Sequence, residues 1–97
     1  MASKAELLQT MSDSITDLEM AFHEASVADR IVLRPKLQEL LAKYSDFRLQ
    51  MLQDSETVTD DDIETMNEIK SEIDAAAQKE QILAAILKTA AFIATKV

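Results

Sequence analysis

The chain has 97 residues with ten basic and eighteen acidic side chains, a formal charge of −8, which disfavours nucleic acid or anionic lipid as a direct partner. Gly is absent and Pro occurs once, so a fold rich in tight turns is excluded and long helices with few connections are expected. Cys is absent too, which rules out disulfides and metal sites built on sulfur. The length suits a single domain, 1–97, and 47% hydrophobic content suffices for a core.

In the first segment, Leu8, Met11, Ile15, Leu18, Phe22 and Ala25 recur at alternating spacings of three and four. That heptad seam predicts a helix over about 4–27, with Glu6, Asp13, Asp17 and Glu24 facing water. The N-terminal stretch lacks the apolar run of a secretory leader, and a cytoplasmic protein is the default expectation.

A second seam, Leu33, Leu37, Leu40, Tyr44, Phe47 and Met51, is offset by one residue from the continuation of the first. One residue turns a helix face by about 100°. With Pro35 at the same place, the offset predicts a break or kink within 27–35. Ser26 and Asp29 have the spacing of a weak capping box for a helix that begins before Pro35. The second helical segment is therefore placed at 29/35–53.

DSETVT, 54–59, has loop composition, and Thr59 before Asp60, Asp61 and Asp62 is a strong helix start. Met66, Ile69, Ile73, Ala76, Leu83, Leu87, Ala90, Ala94 and Val97 then hold one register in which only Glu80 is polar. Ile82, Ile86 and Ile93 add a second stripe beside it. With no breaker in view, the third segment reads as one helix over 60–96, about 50 Å long.

Three segments of an all-α chain can make a helical hairpin bent at Pro35 or a three-helix bundle. In either, the second and third segments run antiparallel, bringing Met66 near Phe47 and Ile73 near Leu40. The bent hairpin leaves less apolar surface bare and is the preferred arrangement. Both leave part of the C-terminal run ILAAILKTAAFIATKV uncovered, so packing is expected to be completed by oligomerisation, a dimer being the simplest form. Ile82, Ile86, Leu87, Phe92, Ile93 and Val97 are the candidate interface. Sixteen residues with Lys88 among them fall short of a bilayer span, which makes a membrane role the weaker expectation.

Asp60, Glu64, Glu68 and Glu72 recur four apart and form a stripe of like charge. Each such pair costs a helix a few tenths of a kcal/mol. The stripe is a candidate binding face, with a basic protein as its natural complement, although a solvated surface accounts for it as simply. Asp60–Asp62 lack the Gly and ligand spacing of a calcium loop, and the only histidine, His23, falls beside the seam rather than on it. Nothing pairs a nucleophile with a base or cradles a phosphate, so neither cofactor, metal nor enzymatic activity is expected. The composition fits a non-enzymatic protein–protein interaction module, a small accessory factor of the inhibitor, immunity or chaperone type that binds another protein. The alternatives are a self-assembling structural subunit, and a membrane-active helical protein that uses the apolar C-terminal helix.

Overall fold

The computed structural model describes residues 3–53 and 58–96. They form four helices: α1 (Lys4–Glu24), α2 (Val27–Gln53), α3 (Asp60–Ala75) and α4 (Lys79–Ala94). The architecture is an all-α four-helix bundle, measuring 42 × 22 × 17 Å.

Each start has a local cause. The Ser3 hydroxyl accepts the Glu6 N–H at 3.1 Å, and the Ser26 hydroxyl accepts the Asp29 N–H at 3.2 Å. Thr59 and Asp62 close a reciprocal capping box at 3.1 and 3.0 Å. At the fourth start the Gln81 side chain accepts the N–H groups of Ala77 and Gln78, at 2.9 and 3.1 Å. The ends explain how a chain without Gly reverses direction. Ala25 and Ala76 leave their helices in extended geometry, at φ −72° with ψ 159° and 123°, and each N–H still reaches the carbonyl three residues back. No described residue has positive φ. The left-handed cap that calls for Gly is not used.

The chain reverses at Ala25–Ser26 instead of kinking at Pro35, which overturns the bent hairpin. Helix α2 continues through Pro35 as one segment of 27 residues. An interior Pro costs a helix about 3 kcal/mol. Burying the Leu33, Leu37 and Leu40 side chains on the opposite face returns about 1.5–3 kcal/mol each, which outweighs it. The capping signal at Ser26 and the offset seam both marked a real break. Pro35 marked none.

The single helix over 60–96 is also overturned. It ends at Ala75 and restarts at Lys79, giving two helices of 16 residues. The apolar segment folds back beside α2 and buries its second stripe, Ile82, Ile86 and Ile93, within one chain, while Leu87 and Ala94 of the first stay exposed. Oligomerisation is therefore not needed to close the core.

Consecutive helices alternate in direction. Lys4 Nζ at the start of α1 donates to the Met51 carbonyl near the end of α2 (3.1 Å), and Lys96 just beyond α4 pairs with Asp62 at the start of α3 (2.6 Å). Around the bundle the order is α1, α3, α4, α2, so α2 and α3 lie on a diagonal, and among the described residues their backbones do not approach closely. The expected neighbours Met66–Phe47 and Ile73–Leu40 are thus not facing pairs, because α4 occupies the place beside α2. The two hairpins, α1–α2 and α3–α4, stack so that α1 packs on α3 and α2 on α4. Leu7, Met11, Leu18, Leu33, Leu40, Phe47, Met66, Ile86 and Ile93 are fully or almost fully buried between them.

Candidate functional site

The outer face of α2 is the most distinctive surface of the molecule. Its inner seam, Leu33 to Met51, points into the bundle. On the opposite side Ala28, Ile31, Pro35, Gln38, Ala42, Ser45, Leu49 and Leu52 recur at spacings of 3, 4, 3, 4, 3, 4 and 3. All eight are exposed and none is charged. Ile31 is 69% exposed, Leu52 68% and Leu49 55%, and Val27 and Val32 stand open beside them. Among the described residues, five of the seven large hydrophobic side chains that are exposed belong to this one helix. Single exposed apolar residues are ordinary; a row of them at heptad spacing along one edge is a contact surface in form.

The charges around this row are sorted by side. Arg34 and Arg48 lie along one flank, Glu39 and Asp46 along the other. Arg34 leans toward α1, with its guanidinium carbon 5.6 Å from the centre of the Phe22 ring. Glu39 meets Lys36 loosely, at 3.9 Å. Helix α2 holds five of the ten basic residues of the chain, including all three arginines, but only three of its eighteen acids. An acidic protein thus carries one edge with a small positive excess.

The sequence missed this surface for a specific reason. The Leu33–Met51 seam accounts for the core, and Ile31, Leu49 and Leu52 stand far apart in sequence with no large apolar residue of the same row between Ile31 and Leu49. Reading them against each other, at their own heptad spacing, would have revealed the second row.

The acidic stripe lies on α3, diagonally across from α2. Asp60, Glu64, Glu68 and Glu72 are all exposed. Glu72 is engaged by Lys88 of α4, whose Nζ donates to both carboxylate oxygens at 2.7 and 2.9 Å. The other three join Glu6 of α1 along an open groove of about 450 Å³, with Ile63, Asn67 and Ser71 between them. Nearby acids serve the bundle itself. Asp62 is partly desolvated, which pushes its carboxyl up, but hydrogen bonds from Lys96 and from Thr59 outweigh this and hold it below the ordinary carboxylate range. Lys70 bridges Asp17 of α1 and Asp74 of α3 at 3.1 and 3.0 Å. Asp17 is raised by its hydrogen bond with Asp74, while Asp74 is lowered by Asp17 and Lys70.

Of the six apolar residues expected at an interface, Ile82, Ile86, Phe92 and Ile93 are buried in the chain's own core. The surface they were expected to offer a second subunit is taken up by α1, α2 and α3. Leu87 is 50% exposed on the outside of α4, and Val97 lies outside the described residues.

His23 is exposed, its ring set edge-on to Phe22 with centroids 5.5 Å apart. Tyr44 is half-buried against the core. The two buried hydroxyl side chains, Ser14 and Thr89, each donate to their own helix, to the Thr10 and Ala85 carbonyls at 2.8 Å. Among the described residues no group of three His, Asp or Glu side chains is placed to hold a metal ion. No helix among them is long and apolar enough to cross a membrane. Comparison with known proteins finds no matching family, no similar curated protein and no similar solved structure.

Proposed function

We propose that this chain is a non-catalytic protein–protein interaction module, an accessory factor of the inhibitor, immunity or chaperone type. The observation that carries the reading is the uncharged heptad row on the outside of α2. The bundle core closes without it, so the row contributes little to folding, and exposing it to water costs solubility. Such a row is accounted for by a helical partner surface. Among the described residues the buried hydroxyls of Ser14 and Thr89 donate to backbone carbonyls, and the pairs Lys70–Asp17, Lys88–Glu72 and Lys96–Asp62 join helix to helix. The acids left open between α1 and α3, Glu6, Asp60, Glu64 and Glu68, offer a basic partner a second, weaker hold.

Ile31→Asp combined with Leu49→Asp tests the reading. Both side chains are exposed, so helicity and melting temperature should stay close to wild type. Capture of partner protein from the native host should be lost. Capture undiminished by the double variant would refute α2 as the surface that holds a foreign protein.

A further inference from the structure

Resting on the reading of α2 as the contact surface, we propose that its occupant is a second copy of this chain, with the two α2 helices side by side and parallel. The charge pattern makes this choice. In a parallel helix pair, the flank before one seam position meets the opposite flank of the partner helix five residues on. That places Arg34 against the partner's Glu39, and two-fold symmetry makes the same contact twice. In an antiparallel pair each flank meets its own kind. Arg34 would then face the partner's Arg48, and Glu39 would face its own copy near the axis. The Arg34 and Glu39 positions are thus self-complementary in one orientation and self-repelling in the other.

Long-range electrostatics selects the same edge. Two bodies of charge −8 repel on most approaches, and most strongly where the acids of α1 and α3 meet. Helix α2, with five basic and three acidic residues, is the edge on which copies meet with least opposition. Along the parallel seam Ile31, Leu49 and Leu52 form apolar layers toward its ends. Ala42 and Ser45 are small enough for close approach, and Gln38 can bond to its own counterpart across the axis.

The size of the contact sets its strength. A helix of 27 residues is about 40 Å long and presents a strip about 10 Å wide, so on the order of 400 Å² per copy is covered. That is roughly half of a standard interface. The pairing is accordingly weak and dependent on concentration.

Sedimentation equilibrium on the full chain, from about 10 μM to about 1 mM, reads this directly. Wild type should rise from monomer toward dimer mass, and Leu49→Asp should remain monomeric with unchanged helicity. Arg34→Glu sets two acids against each other and Glu39→Arg sets two bases against each other, so each variant alone should associate at least several-fold more weakly. Mixing the two variants restores both attractive contacts and should restore the dimer. Wild type that stays monomeric at the highest concentration overturns the proposal. So does a dimer that Arg34→Glu strengthens, which marks the antiparallel pairing. If wild type is monomeric while Ile31→Asp with Leu49→Asp still abolishes capture of a foreign protein, the second copy is excluded and the interaction reading stands.

Discussion

Ile86 and Leu87 are neighbours in sequence with opposite surroundings, and truncating each to Ala is the sharpest check of how α4 sits. Ile86 is 2% exposed. Ile86→Ala removes three carbons, worth about 0.8 kcal/mol each, and leaves a cavity, so the loss should be about 3 kcal/mol. At about 4–8 °C per kcal/mol for a domain of this size, the melting temperature should fall by roughly 12–24 °C. Leu87 is half exposed and its removal opens no cavity, so Leu87→Ala should cost less than about 1 kcal/mol. Thermal and urea unfolding followed by circular dichroism measure both. A single helix over 60–96 in the register of Met66, Ile73, Leu83 and Leu87 would put Leu87 inward and reverse the order. Equal losses, or a larger loss for Leu87, would refute the placement of α4.

Pro35→Ala should raise stability by at least about 1 kcal/mol, because it restores a backbone donor in mid-helix on an exposed face; a lower melting temperature would contradict the uninterrupted course of α2. Gln81→Ala should cost about 1 kcal/mol through loss of the α4 start, read by the same unfolding assay. The acid side of the stability curve should depend on Asp62. Its folded pKa lies below the ordinary 3.8, so its contribution is present above that value and is lost as pH falls through the folded pKa. Lys96→Met should flatten this decline and lower stability at neutral pH, and an acid limb identical to wild type would count against the Lys96–Asp62 pair.

Much of the fold was legible where two local signals agreed. The Ser26 and Thr59 starts each joined a hydrophobic register to a capping residue. The reversal at Ala25 was marked by a seam that slipped by one residue. The same slip recurs near residue 80, where the buried set moves from Met66, Ile69 and Ile73 to Ile82, Ile86 and Ile93, and Glu80 occupies the old register. It read as a second stripe on one helix because Ala75–Ala76–Ala77 contains nothing that stops a helix. Of the candidate sites, the acidic stripe lies where its spacing placed it, as any exposed helical row would. Four of the six apolar interface candidates are instead buried in the core, because burial against a partner and burial against the chain's own α1, α2 and α3 demand the same residue types.

The joint between α3 and α4 has a consequence for how the protein fails. Three alanines favour helix, so local preference runs on through 75–77, and the break persists because the core holds α4 folded back. Apart from the Gln81 cap, its hold is tertiary. Damage to the inner side of α2, at Leu40 or Phe47, therefore frees more than a loosened helix. It releases an arm that straightens readily and carries Ile82, Ile86, Phe92 and Ile93 into water. The predicted mark of such variants is aggregation out of proportion to the stability they lose.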